Sequence, residues 1–247
     1  MKVTFLGTNG WYNYDNQETS CVLVESKKYN LIFDLGSGIK NLNKIKFKKK
    51  ETFIFISHLH LDHVIGIHYL SSINNLENIK IILHKKYQKK FKDIFNQPYT
   101  LKFNYYKNKI KIISFDEKKI PKIPIKFITK KLKHSDPSYG FKFFLDKKVI
   151  SYCTDTKLCQ NLFDLSSGTD LSIIECNQYK KKKNFHLSFK EINKNLYKFG
   201  TKKIALTHFG PEDFFSVNQR FYKLKNKVNL IKNIKLLITR DLFSLKV

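Results

Sequence analysis

Residues Phe53-Ile54-Phe55-Ile56 run without a polar break into Ser57-His58-Leu59-His60-Leu61-Asp62-His63. This junction constrains the fold more than any other feature of the chain. A continuous apolar run of that length fits a strand buried on both faces, as in sheets covered by helices. A polar segment directly after such a strand emerges at the end of the sheet, where loops carry function. The spacing His-x-His-x-Asp-His lets His58 and His60 point at one metal ion. Asp62 and His63, at the start of the next helical segment, can turn toward a second. Neutral imidazoles suit zinc, iron or manganese, and a carboxylate suits the harder of these ions. Three histidines and an aspartate packed this closely are hard to explain as core packing.

Apolar periodicity predicts a first batch of strands over residues 2–6, 20–25, 29–33, 53–56 and 79–83, with helices over 39–45, 64–70 and 85–95. A second batch of strands is predicted over 109–114, 123–132, 139–145, 148–152, 171–174, 203–206 and 235–239. Helices are expected over 158–165 and 188–199, and from about Glu212. Pro121 and Pro124 mark the entrance to the 123–132 strand, because proline cannot donate to a ladder. Two batches of strands with helices between and after them predict an α/β fold of two sheets with helices on their outer faces. No linker rich in Pro, Gly or Ser divides the 247 residues, and no repeat is visible, so a single domain over 1–247 is expected.

Other metal-binding side chains sit where predicted strands end. His134 follows the 123–132 strand, Asp155 follows Cys153-Thr154, and His208 follows Leu206-Thr207. With the first motif they make five histidines and two aspartates, enough for two metals bridged by a carboxylate and a water.

In order along the chain, Gly7-Thr8-Asn9-Gly10, Asp34-Leu35-Gly36-Ser37-Gly38, the His58 to His63 motif, His134, Asp155 and Thr207-His208 give a resemblance to the metallo-β-lactamase superfamily. The resemblance covers nearly the whole chain. Within that superfamily the chain is most similar to the RNase Z-like phosphodiesterases. Ser138-Tyr139-Gly140-Phe141, Cys153-Thr154-Asp155-Thr156, Glu175, His186-Leu187-Ser188 and Leu206-Thr207-His208-Phe209-Gly210-Pro211 carry that likeness. It implies an αβ/βα four-layer sandwich with a dimetal site at the junction of its sheets. It implies that His58, His60 and His134 bind one ion, that Asp62, His63 and His208 bind the other, and that Asp155 bridges them. The cofactor expected is two divalent ions, zinc foremost, with manganese or iron as alternatives. Asp34 would orient a ligand histidine, the alternative being a strand-end turn former. His68 and His84 match no ligand position and are expected to be ordinary helix-surface and strand-end residues. Homodimers are common among such proteins, so a homodimer is a further expectation of the resemblance.

Two bridged ions lower the pKa of a shared water, so hydroxide becomes available near neutral pH. They also clamp the oxygens of an in-line displacement, which suits a phosphodiester of RNA, DNA or a nucleotide. Asp62 could hold the attacking group as well as ligate. The leaving alkoxide needs a proton, and the resemblance makes His186 the general acid, with Glu175 its partner. The alternative for His186 is a helix N-terminal residue before Ser188. RNase Z carries a Gly/Pro-rich arm for its tRNA, known in one branch between the third-histidine motif and the bridging Asp. Here only two strands and an Asp146-Lys147-Lys148 turn fill that interval, which favours a smaller substrate. A hydrolase of esters, thioesters or lactones and a non-catalytic nucleic-acid binder remain alternatives. The pair of Glu175 and His186 argues against the first, and the complete ligand set against the second.

The net charge of +27 attracts polyanions, yet it is almost all lysine, with Arg220 and Arg240 the only arginines. Nucleic-acid readers favour arginine for bidentate contacts, so composition alone accounts for the charge as well as function does. Cys21, Cys153, Cys159 and Cys176 have no metal-ribbon spacing and are expected to be free thiols. No apolar run approaches the roughly 18 residues of a membrane span. The N-terminus reads as a strand rather than a signal peptide, so a cytoplasmic protein is expected.

Overall fold

Apolar runs separated by turns build two sheets in the computed structural model, which describes residues 1–73, 75–102, 105, 110–116, 118–182, 185–225 and 234–247. The first sheet contains β1 (Lys2–Gly7), β2 (Cys21–Glu25), β3 (Asn30–Phe33), β4 (Glu51–Phe55), β5 (Glu77–His84), β6 (Ile110–Phe115) and, from the far end of the chain, β13 (Ser244–Lys246). The second contains β7 (Lys126–Lys131), β8 (Tyr139–Leu145), β9 (Lys148–Cys153), β10 (Leu171–Glu175), β11 (Lys203–Thr207) and β12 (Lys235–Ile238). Their strand orders are β13-β1-β2-β3-β4-β5-β6 and β12-β11-β10-β9-β8-β7.

Each sheet joins an antiparallel half to a parallel half. In the first, β1, β2 and β3 pair antiparallel, and β3 to β6 run parallel. In the second, β7, β8 and β9 pair antiparallel, and β9 to β12 run parallel. Parallel neighbours deliver their C-terminal ends to one edge, so the residues after β3, β4, β9, β10 and β11 gather there.

Phenylalanine fills the space between the sheets. Phe33 of β3 stacks on Phe143 of β8 at 4.8 Å, and Phe55 of β4 meets Phe143 at 4.7 Å and Phe141 at 5.5 Å. Such ring pairs contribute about 0.5–1.5 kcal/mol each beyond their area. Helix α1 (Gln88–Ile94) follows β5, and the helices α2 (Gln160–Ser166), α3 (Phe189–Lys194) and α4 (Val217–Lys225) supply Leu162, Leu165, Ile192 and Leu224 to a second apolar cluster, with Ile174, Ile204 and Leu206 of the second sheet. This is the expected layering. β4 is buried from Thr52 to Phe55, as its unbroken apolar run predicts.

The local differences have physical reasons. The segments predicted helical over 39–45 and 64–70 are 3-10 turns, Ser37–Lys44 and Ile65–Ser72, which apolar spacing over so few residues does not separate from an α-helix. The last helix starts at Val217 rather than near Glu212, after the Gly210-Pro211 turn. β13 is not predicted by the sequence; three residues are too few to show alternation, and only pairing with Lys2, Val3 and Thr4 of β1 defines it. Lys109, at the start of the predicted 109–114 strand, lies outside the described residues.

Candidate metal centre

The strand ends deliver their side chains by an unusual backbone turn. Asp34 after β3, Asp155 after β9 and His208 after β11 have φ of 56°, 55° and 53°. This left-handed region is costly for non-glycine residues and collects at functional sites. It turns each side chain off the sheet and toward the space between the two edges.

Two groups of potential ligand atoms result, each with its atoms within 4.8 Å of one another. One comprises His58, His60, His134 and Asp155; the other comprises Asp62, His63 and His208. Asp155 lies between them. Its Oδ2 is 3.7 Å from His58 Nε2 and 3.5 Å from His134 Nε2, and its Oδ1 is 3.1 Å from both His63 Nε2 and His208 Nε2. His186 joins Asp155 and His208 in a third such group.

The donor set fits divalent cations. His63 Nδ1 donates to Asp34 Oδ2 at 2.7 Å, which leaves the Nε2 lone pair facing His208 Nε2 at 3.1 Å; this tautomer is assigned from the hydrogen-bond network. His58 Nε2 and Asp155 Oδ1 are buried without a hydrogen-bond partner. Buried acceptors facing one another need a cation between them. Burial and the neighbouring imidazoles hold His58 well below the usual histidine range, and burial lowers His134 as well. Burial pushes the Asp62 and Asp155 carboxyls up, but the surrounding histidines outweigh it and hold both well below the usual range. Neutral imidazole and ionised carboxylate are the forms that ligate. His63 differs: burial opposes its charge, yet Asp155, Asp62 and Asp34 raise it well above the usual range, so a cation at Nε2 would have to displace a proton to meet the lone pair.

Asp34 does more than form a turn. Its carboxylate accepts from the Ser57 amide at 2.7 Å, Ser57 Oγ at 2.9 Å, Tyr152 Oη at 2.7 Å and His63 Nδ1. It ties the end of β3 to the start of the histidine motif and to β9. Gly10 and Gly36 make close approaches possible: a Cβ on Gly10 would lie 2.4 Å from His208 Cε1, and one on Gly36 would lie 2.4 Å from the Asp62 carbonyl oxygen.

Glu175, at the buried end of β10, lies 3.0 Å from His186 Nδ1 through its Oε2, while its other oxygen accepts from the Thr156 amide. Burial lowers His186, but Glu175 and then Asp155 outweigh it and push it up to about 9. The His186 ring is 5.1 Å from that of His134 and 5.6 Å from that of His208. His186 therefore stands in a cavity of about 400 Å³, which His60, Asp62, His134, Asp155 and His208 also line.

His68 is exposed, and His84 stacks on Tyr139 at 4.4 Å, away from both groups. Cys21, Cys153, Cys159 and Cys176 are free. No helix among the described residues is long and apolar enough to cross a membrane. Two contributors escaped the sequence. The Trp11 amide donates to Asp62 Oδ2 at 2.9 Å, and Arg220, fully buried, braces the His208 loop. A backbone amide leaves no trace in residue type. Arg220 had one available signal, its rarity in a chain that otherwise uses lysine.

A family model described as Anti-Pycsar protein Apyc1 matches residues 1–236. The chain is 28% identical over 285 aligned positions to a Ribonuclease Z from Clostridium perfringens, covering 85% of this chain and 89% of that one. Its structure is similar to the metallo-β-lactamase fold protein YhfI from Bacillus subtilis, with a TM-score of 0.79 at 20% identity, covering 99% of each chain. It is also similar to the short form of human tRNase Z, with a TM-score of 0.72 at 20% identity, covering 100% of this chain and 99% of that one. The fold is thus the metallo-β-lactamase αβ/βα sandwich.

Proposed function

The chain belongs to the Anti-Pycsar protein Apyc1 family, and from that footing we propose that it is a metal-dependent hydrolase that cleaves phosphodiesters of RNA, DNA or nucleotides with two divalent ions, zinc foremost. His58, His60 and His134 would hold one ion, Asp62, His63 and His208 would hold the other, and Asp155, which lies between the two groups, would contribute to both. The shared apolar core of both sheets supports a single domain over 1–247.

The observation that carries the phosphodiester reading is the His186–Glu175 pair beside the ligand groups. When bound, the ions supply an acidified water and Lewis-acid stabilisation of the phosphoryl oxygens. Asp62, held by the Trp11 amide, orients the attacking water. Glu175 takes Nδ1–H of His186, so the proton facing the cavity sits on Nε2. From there it passes to the leaving oxygen. An alkoxide leaving group needs that proton, whereas a thiolate leaves well without it, which is why a thioesterase is the weaker reading. The interval between His134 and Asp155 is filled by the β8–β9 hairpin, turned at Asp146 and Lys147. Together with the size of the cavity this supports a nucleotide or a nucleic-acid end over a precursor tRNA.

Metal-loaded protein should be assayed against bis-p-nitrophenyl phosphate, a precursor tRNA, single-stranded RNA and DNA, cyclic nucleotides and a thioester. Cleavage of the thioester alone would overturn the proposal. The variant His186→Ala should lower turnover by about 10²-fold or more with metal content unchanged. Loss of metal in that variant would make His186 a ligand instead of the acid.

A further inference from the structure

The chain has one tryptophan, and it is spent on the surface. Trp11 is 74% exposed. It also has φ of 75°, a conformation that bulky side chains avoid. Both features cost free energy, and packing repays neither. The surrounding hydrogen bonds hold the residue there. The Gly10 amide donates to the Phe209 carbonyl at 2.9 Å, and the Trp11 amide donates to Asp62 Oδ2 at 2.9 Å. The backbone of Trp11 is therefore fixed beside the Asp62, His63 and His208 group, and the residue lines the cavity at its mouth. Tyr12, half exposed, follows it along the same rim.

The other flank carries a second exposed ring. Phe185 lies 6.2 Å from His134, edge to face, with Lys157 Nζ 4.2 Å from its centroid. Trp11, Tyr12 and Phe185 line the same cavity as His186 and the ligand groups. Strain concentrated at a site and aromatic surface left in water both point to a ligand with a flat face.

We propose that Trp11 holds the substrate by stacking on an aromatic base next to the scissile phosphate, with Phe185 as the second stacking surface. This rests on the phosphodiesterase reading, whose RNA, DNA and nucleotide substrates all carry a base, and it names the side chains that hold that base. Stacking tolerates any base, because every base has a π-face. It places the phosphate between the rings, where the ligand groups and His186 lie.

Because Trp11 is the only tryptophan, intrinsic indole fluorescence reports this residue alone. Zinc- or manganese-loaded protein should be titrated with AMP, GMP, CMP and UMP, and in parallel with ribose 5-phosphate. The nucleotides should quench the indole, and ribose 5-phosphate should not. Trp11→Ala should raise KM for nucleotide substrates by about 10-fold or more with kcat within about twofold, and Trp11→Phe should recover most of the loss. Equal quenching by ribose 5-phosphate, or an unchanged KM in Trp11→Ala, would overturn the proposal. A Trp11→Ala protein that loses metal and kcat together would do so as well, since Trp11 would then only brace Asp62. Failure of the phosphodiesterase reading looks different: no phosphodiester is turned over, whatever the nucleotides do to the indole.

Discussion

Asp34 sits behind the ligands rather than among them, and its role turns on hydrogen-bond direction. Every group around its carboxylate donates: the Ser57 amide and hydroxyl, Tyr152 Oη and His63 Nδ1. Asp34→Asn keeps the size and tolerates the left-handed backbone, but it replaces one acceptor by a donor facing donors. The expected result is a folded protein whose metal affinity falls by about 10- to 100-fold in chelator competition, because His63 loses its tautomer and orientation. Unchanged affinity would leave Asp34 a turn former only. The sequence held both readings of this residue, since an Asp-Leu-Gly after a strand suits either. The contact with His63 separates them.

Among the elements, α4 makes the least conspicuous contribution to the site. Its Arg220 is buried and lies 3.9 Å from the centre of the Phe209 ring, next to His208. The guanidinium donates to Asn9 Oδ1 at 2.9 Å, Thr239 O at 3.1 Å and Thr8 Oγ1 at 3.2 Å. The helix thus ties the Thr8–Asn9 loop to the His208 turn and the end of β12. Arg220→Met preserves apolar bulk but orphans buried acceptors, at about 1–3 kcal/mol each. It should lower the melting temperature and, at temperatures where the protein is folded, weaken binding of the ion assigned to Asp62, His63 and His208. A variant that melts lower with both ions bound at wild-type affinity would reduce Arg220 to a stability role. The helical segments were legible in position, because periodicity reports which face is buried. Their type was less so: the 3-10 turns at Ser37–Lys44 and Ile65–Ser72 carry the same apolar spacing as an α-helix over so few residues.

Where the C-terminal segment closes over the first strand, Asp241 is half-buried beside Thr8. It accepts from Thr8 Oγ1 at 2.9 Å and from the Glu18 amide at 2.7 Å, yet burial prevails and pushes its carboxyl up to about 7. An unfolded aspartate titrates near 3.9. Between those values the folded chain keeps a proton that the unfolded chain has released, so the contribution of Asp241 to stability falls as pH rises from about 4 to about 7 and is level above that. One proton over about three pH units is worth on the order of 4 kcal/mol. The stability of wild type minus that of Asp241→Asn, from denaturant melts, should therefore decline across this window. A difference that stays constant with pH would show that Asp241 is ionised in the fold throughout.

Local order along the chain carried the architecture and the metal motif. The apolar run of β4 and the His58 to His63 spacing lie within a few residues of each other, and local geometry alone relates them. The chain also announced polar side chains at the ends of β7, β9 and β11, because a strand end is a local event. Convergence is not local. Asp155 comes within 3.1 Å of both His63 and His208, and the Trp11 amide reaches Asp62, only because two sheets pack through Phe33, Phe55, Phe141 and Phe143 and present their ends together. Contacts between distant segments depend on sheet order and register, which no stretch of sequence records. The histidine motif therefore announced a metal site, while the packing of the two sheets decided which residues complete it, brace it and surround its mouth.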